Sequence, residues 1–125
     1  MLQYVHHLSL GVRDFEKSAE FYRDFIGFRE IPRPALSFPG LWLKLGNVQL
    51  HLIQRNDEYP DDQGLPWAMH TAFQTADLED LDRMEQKLVQ KEIPYKRVVQ
   101  DDSGINQIFF KDPDGYNIEF GYYPD

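Results

Sequence analysis

Cysteine is absent from the 125 residues of this chain, so disulfides, cysteine–metal sites and thiol catalysis by the protein are excluded. A bound metal ion would therefore have to sit on histidine and carboxylate side chains. Basic residues are also scarce, 13 against 21 acidic ones, and Lys and Arg form no cluster longer than a pair. With a net charge of −8, neither nucleic acid nor an anionic membrane is expected as a partner.

Long hydrophobic runs are missing as well, and no segment approaches the length needed to cross a membrane. The N-terminal stretch 1–7 has no charged start followed by an apolar run, so it does not look like a secretory signal. A cytoplasmic protein is expected. The length suits one domain that buries a real core, and 42% hydrophobic residues are ordinary for a folded protein.

The first part of the chain, 1–55, predicts one helix among four strands. Asp14 is a suitable N-cap for the helix, and Gly27 is the expected stop. The apolar stripe of this helix is expected at i, i+4, i+7 and i+11, namely at Phe15, Ala19, Tyr22 and Ile26. The predicted elements are a strand at 5–12, a helix at 14–26 and strands at 28–31, 42–45 and 48–53.

The stretch 56–66 is polar, acidic and rich in proline and glycine, which predicts a linker. After it the pattern begins again with Asp77 as the helix cap. The turn at 112–115, Asp-Pro-Asp-Gly, predicts a hairpin before the last strand. The predicted elements of this second part, 67–125, are a strand at 67–75, a helix from Asp77 to before Pro94 and strands at 95–99, 105–111 and 116–123.

The two parts align as an internal repeat. His7 falls on His70, 63 positions later, and the helix caps Asp14 and Asp77 then coincide. In the last strands, His51 falls on Glu119, 68 positions later. We therefore predict an α+β fold in which two βαβββ modules, 1–55 and 67–125, pair in one domain.

The repeat also groups four side chains that can bind metal. The first strand of each module carries a histidine, His7 or His70, and the last strand carries His51 or Glu119. If the two half-sheets pair about a pseudo-twofold axis, the four converge on one cavity. Imidazoles with one carboxylate suit Zn, Ni, Co, Fe or Mn, with positions left for water or a small-molecule substrate.

Other interpretations stay open for the same residues. Each histidine taken alone is as well explained by packing or by a hydrogen bond within its strand. Gln49 shares a strand face with His51 and competes with it as the donor to the site. Trp42, Trp67 and Phe109 are either ordinary core residues or the stacking surfaces of a metal-free protein that sequesters a small hydrophobic molecule.

Three motifs resemble the vicinal oxygen chelate superfamily, which includes glyoxalases, bleomycin resistance proteins, extradiol dioxygenases, epimerases and fosfomycin-modifying enzymes. The resemblance covers essentially the whole chain. The motifs are His-Leu-Ser-Leu-Gly-Val-Arg-Asp at 7–14, His-Thr-Ala-Phe at 70–73 and Asp-Pro-Asp-Gly-Tyr-Asn-Ile-Glu at 112–119.

The resemblance implies a divalent metal on His7, His70 and Glu119, with His51 at the fourth ligand position. It implies a substrate with adjacent oxygens, lyase, isomerase or dioxygenase chemistry, and Glu119 as a catalytic base. Lactoylglutathione lyases usually have Glu where this chain has His51, which weakens that one assignment. Thiol transfer to an antibiotic is a further alternative. A homodimer is expected, with the site built from one chain or shared between two.

Overall fold

The computed structural model describes residues 1–55, 69–100 and 103–124. The chain divides into two compact units, Met1–Pro60 and Asp61–Asp125. The predicted linker 56–66 and the start of the predicted fifth strand, 67–68, lie outside the described residues. Whether the two modules form one domain joined by this linker therefore stays a prediction. No helix in the described part of the chain combines the length and the apolar character that crossing a membrane requires.

The first unit is a four-stranded sheet with one helical segment. Its strands lie in the order β1-β4-β3-β2, with β1 parallel to β4 and the other neighbours antiparallel. The elements are β1 (His7–Val12), α1 (Phe15–Ala19), a π-helical continuation of α1 (Glu20–Ile26), β2 (Arg29–Glu30), β3 (Gly40–Leu45) and β4 (Val48–Gln54).

The second unit repeats this topology. Its strands lie in the order β5-β8-β7-β6, and β5 is parallel to β8. The elements are β5 (Thr71–Gln74), α2 (Leu78–Gln90), β6 (Tyr95–Val99), β7 (Asn106–Lys111) and β8 (Asn117–Tyr122). Two four-stranded mixed sheets with two helical segments confirm the predicted α+β class and the βαβββ order of each module.

Helix boundaries follow the predicted caps. The Asp14 carboxylate accepts hydrogen bonds from the backbone N–H groups of Glu16 and Lys17, and the Asp77 carboxylate accepts one from Asp80. Gly27 ends the first helical segment in the left-handed conformation, with φ of 111°. Glycine adopts this conformation without the steric cost that a Cβ would add.

The predicted stripe of the first helix is partly wrong. Ala19 and Tyr22 are buried as expected, but Phe21 and Phe25 are buried in place of Phe15 and Ile26, which are only half-buried. The physical reason is the π-helical hydrogen bonding of the second half, where the N–H of Gly27 reaches back five residues. This wider winding shifts the buried face away from the 3.6-residue period used in the prediction.

In each sheet one face forms the core and the other carries the candidate site residues. In the second sheet Ile108, Phe110, Ile118 and Phe120 share the core face and are at most 2% exposed. The first sheet buries Val12, Leu43, Leu50 and Leu52 in the same way. Because side chains alternate along a strand, the residues between these positions lie on the opposite face.

The Asp-Pro-Asp-Gly turn connects β7 and β8 as predicted. Gly115 has φ of 88°, and its N–H donates to the backbone carbonyl of Asp112. The buried Asp112 side chain accepts hydrogen bonds from the backbone N–H groups of Asp114 and Tyr116, both at 2.9 Å. Asp112 therefore stabilises the turn that fixes the start of the strand carrying Glu119.

Candidate metal centre

In the first unit, His7 and His51 lie against each other on one face of the sheet. Their rings stack with centroids 4.1 Å apart and planes 13° from parallel. Trp42, the cross-strand partner of His51, stacks on the other side with centroids 4.0 Å apart. The His51 ring is thereby held between two flat neighbours, and it is only 7% exposed.

Hydrogen bonds position the ring nitrogens of this pair. His51 Nε2 lies 2.9 Å from Gln49 Oε1, and His7 Nδ1 lies 3.0 Å from His6 Nδ1. Burial, followed by the electrostatic influence of His7, His6 and Arg33, lowers the pKa of His51 from its ordinary 6.5. His51 is therefore held in the neutral form, which is the form that binds metal.

In the second unit, His70 and Glu119 form a direct pair. His70 Nε2 lies 3.0 Å from Glu119 Oε1, and the amide of Gln107 donates to Glu119 Oε2 at 3.3 Å. Glu119 is 2% exposed, although it carries a carboxylate. A buried carboxylate is costly unless polar partners compensate for the lost water, and here one oxygen has an imidazole and the other an amide.

The strand registers support the repeat derived from the sequence. Ser9 pairs with His51 across β1 and β4, and Ala72 pairs with Glu119 across β5 and β8. Ser9 lies two residues after His7, and Ala72 lies two residues after His70. His51 and Glu119 therefore occupy the same position in their sheets, diagonal to His7 in β1 and to His70 just before β5.

The second pair fits a metal ion in both atom type and spacing. Two nitrogen or oxygen ligands bound at about 2.0–2.2 Å to one tetrahedral or octahedral ion lie roughly 2.8–3.6 Å apart. The 3.0 Å between His70 Nε2 and Glu119 Oε1 falls in this range. In the first unit, His51 Nε2 and Gln49 Oε1 lie 2.9 Å from each other. Since the two atoms are so close together, their positions do not distinguish between them, and both residues remain candidates for the fourth ligand.

Each unit by itself supplies two of the four predicted ligands. Among residues 1–55, 69–100 and 103–124, no group of three or more His, Asp or Glu side chains is placed to hold a metal ion. The described part of the chain therefore contains the two pairs and no larger cluster of such ligands.

A cleft of about 520 Å³ opens in the second unit at the start of β6 and the end of β7. Phe109 lines it and also packs edge-on against the His70 ring, with centroids 6.1 Å apart. Phe109 is the cross-strand partner of Glu119. Phe109 thus belongs both to the lining of the cleft and to the surroundings of His70, whereas neither His70 nor Glu119 lines the cleft.

Two polar residues near the candidate site, Gln107 and His6, are not among those that the sequence pattern predicts. Gln107 donates to the second oxygen of Glu119, and His6 lies with its Nδ1 3.0 Å from His7 Nδ1. Gln107 is two residues from Phe109, so strand alternation would have placed it on the site face. His6 precedes the first residue of β1, so alternation does not apply to it. Trp67 lies outside the described residues.

Comparison with known proteins assigns the family. The profile of the glyoxalase/bleomycin resistance protein/dioxygenase superfamily matches residues 4–120. The chain belongs to this superfamily. Among curated members it is 34% identical over 121 residues to glyoxylase I 4 of Arabidopsis thaliana, covering 92% of this chain and 68% of that protein. It is 32% identical over 124 residues to the metallothiol transferase FosB of Lysinibacillus sphaericus, covering 95% and 82%.

Solved structures agree with the superfamily fold. A glyoxalase family protein from Bacillus anthracis superposes with a TM-score of 0.77 at 24% identity, covering 99% of this chain and 98% of that one. At this identity the likeness concerns the fold. It confirms the glyoxalase-like architecture expected from the motifs.

Proposed function

We propose that this superfamily member is a divalent-metal-dependent enzyme acting on a small substrate with adjacent oxygens. Its ligands are His7, His70 and Glu119, with His51 or Gln49 as the fourth. The two units that supply them belong either to one chain or to two chains of a homodimer.

The observation that carries this proposal is the arrangement around Glu119. A buried carboxylate is aligned with an imidazole at 3.0 Å and fixed by Gln107 on its other oxygen. Residues beyond the ligands that orient them in this way are a regular feature of metal sites. A carboxylate needed only for folding would more often face water on such a strand.

The bound ion would supply Lewis acidity toward the adjacent oxygens of the substrate. The chain itself contributes a base, because Glu119 has a carboxylate oxygen beside His70 that can accept a proton. Gln107 keeps the other oxygen in place, which limits rotation of the carboxylate. Phe109, which packs edge-on against the His70 ring, offers an apolar surface for the rest of the substrate.

Two reaction classes have specific support. The glyoxylase relative favours lyase or isomerase chemistry, which transfers a proton next to a carbonyl. The metallothiol transferase relative favours transfer of a thiol to an antibiotic, and a FosA glutathione transferase of Serratia marcescens, 30% identical over 95% of this chain, points the same way. Glu119 as a base would carry out the proton transfer that the lyase or isomerase reaction requires.

Metal content tests the proposal at its first step. Wild-type protein purified without chelator should bind one zinc or nickel ion per complete site, measured by elemental analysis and calorimetry. A His70→Ala, Glu119→Gln double variant should bind none. Glu79→Gln, an exposed carboxylate change on α2, is the matched control and should bind like wild type. Wild type that carries no more metal than the double variant would overturn the proposal, and wild type without metal would favour a metal-free binding protein.

Activity then separates the two reaction classes. The metal-loaded protein is given methylglyoxal with glutathione in one assay and fosfomycin with glutathione in another. Turnover of one substrate that is lost after chelation and restored by added metal assigns the class. The mass of the protein in solution, with and without metal, tests the proposed homodimer.

A further inference from the structure

A fixed guanidinium lies on the face of the first sheet that carries His51, and the proposed ligands do not include it. Arg33 belongs to the segment between β2 and β3. Its Nη2 donates to the backbone carbonyl of Phe38 at 2.7 Å, and its Cζ lies 5.1 Å from the centre of the Phe38 ring. One hydrogen bond and one cation–π contact therefore hold the charged group in a defined place.

Gly40 determines which face Arg33 occupies. A Cβ on Gly40 would lie 2.8 Å from Arg33 Nε and Nη2, so the guanidinium fills the space where a side chain would be. Gly40 and Trp42 are two residues apart on β3 and share a face, and Trp42 stacks on His51. Arg33, Trp42 and His51 therefore lie on one face of the sheet.

The charge of Arg33 is not neutralised within the described part of the chain, where no carboxylate forms an ion pair with it and its Nε has no hydrogen-bond acceptor. The protein as a whole carries a net charge of −8. A positive group held beside candidate ligands in an acidic protein is suited to attract an anion to that place. Guanidinium binds carboxylate and phosphate oxygens through paired hydrogen bonds.

We propose that Arg33 binds an anionic group of the substrate, a carboxylate or a phosphate, next to the oxygens held at the metal. The substrate class is thereby narrowed to molecules with adjacent oxygens and a further oxyanion. This inference rests on the proposed function. Gly40 takes part by leaving room for the guanidinium on this face.

Matched ligand pairs test the proposal on zinc-loaded protein by calorimetry. Malate and 2-hydroxybutyrate share a hydroxyl beside a carboxylate, but only malate has a second carboxylate. 3-Phosphoglycerate and glycerate differ in the same way by a phosphate. Wild type should bind the more anionic member of at least one pair about tenfold more tightly or better, the gain expected of a charge-assisted hydrogen-bonded pair. The pair that shows the preference identifies carboxylate or phosphate.

Two variants test whether the preference for the more anionic ligand comes from Arg33. Arg33→Gln removes the charge, whereas Gly40→Ala keeps the charge but displaces the guanidinium from the face. Both variants should reduce the preference for the more anionic ligand to less than about twofold. A control variant should keep the preference of about tenfold that a charge-assisted hydrogen-bonded pair provides. The control is Arg23→Gln, which removes an exposed arginine paired with Asp24 on the helical segment. A preference that survives in both Arg33→Gln and Gly40→Ala, or is absent from wild type, overturns the proposal.

A metal-free arm keeps this inference separate from the proposed function. Inorganic phosphate and malonate are titrated into chelator-treated protein while the backbone amide signals of Gly40 and Trp42 are followed by NMR. One of the anions should shift these signals in wild type and not in Arg33→Gln. Failure to bind zinc, together with this shift, would refute the metal enzyme but retain the anion site. Absence of the shift refutes the anion site whatever the metal result.

Discussion

The two modules use the same positions for different chemistry. In the first module, the rings of His7 and His51 stack on each other. In the second module, the equivalent residues are His70 and Glu119, and His70 Nε2 lies 3.0 Å from Glu119 Oε1. The strand order and the register are the same in both. The fold thus fixes where two side chains meet on each sheet, and the residue types decide whether they meet by stacking or by a hydrogen-bonded contact.

The neighbours of each pair differ in the same way. Trp42 faces His51 across the strands, and Phe109 faces Glu119. Two residues before these aromatics, the first module has Gly40 and the second has Gln107. Gln107 donates to Glu119, whereas Gly40 leaves its space to Arg33. One module therefore supports a carboxylate and the other presents a positive charge.

The largest expected effect is the loss of zinc affinity when a ligand is removed from the His70–Glu119 pair rather than from the His7–His51 pair. Glu119→Gln should weaken zinc binding by about 100-fold or more, since it removes the only anionic ligand and loss of even a supporting residue costs 10–100-fold. His7→Ala should cost less, because an imidazole is neutral and the remaining three ligands keep the carboxylate. Competition with a chelating dye measures both. Equal losses would show that the modules contribute alike.

A second experiment decides which residue of the first module completes the site. His51→Ala and Gln49→Leu are compared by zinc calorimetry. If His51 is the ligand, its removal should weaken binding by about 100-fold, and Gln49→Leu by only about tenfold, the low end of the cost of losing a residue that orients a ligand. The reverse order would assign the ligand to Gln49, whose Oε1 lies 2.9 Å from His51 Nε2.

A third experiment concerns the turn before β8, measured by urea unfolding without metal. Asp112→Ala should lower the free energy of unfolding by about 1–3 kcal/mol, since it leaves the backbone N–H groups of Asp114 and Tyr116 without their acceptor. Asp112→Asn keeps a carbonyl oxygen at the same place and should cost clearly less. Similar losses for both variants would show that the charge matters rather than the acceptor.

The smallest expected effect compares the two helix caps. Asp14→Ala and Asp77→Ala should each lower the free energy of unfolding by about 0.5–2 kcal/mol. Asp14 accepts from two backbone N–H groups and Asp77 from one, so the change at Asp14 should be the larger. Thermal unfolding of the two variants measures the difference. A larger loss at Asp77 would show that α2 depends more on its cap than the shorter α1 does.

Much of the fold could be predicted because its signals are local. The caps Asp14 and Asp77, the stop at Gly27 and the turn at 112–115 act through backbone groups within a few residues of themselves. The strand β6 matches its predicted bounds. The π-helical segment was not predicted, because no simple residue pattern distinguishes it from an α-helix.

The candidate ligands could be proposed from the sequence because the internal repeat aligns His7 with His70 and His51 with Glu119. Gln107 could have been added from strand alternation. Arg33 could not, because it lies between strands and reaches the site face only through the gap at Gly40. Which side chain fills the space above a glycine depends on the path of a whole segment.

The sequence alone therefore determined the α+β class, the repeated module and the four residues that make a metal site chemically reasonable. Composition and periodicity carry that information, because burial and strand alternation follow from residue type and spacing. Only the tertiary structure decided that Glu119 is buried between His70 and Gln107, and that His51 is stacked between His7 and Trp42. Such contacts join residues far apart in the chain, so they depend on strand register, which exists only once the sheets have formed.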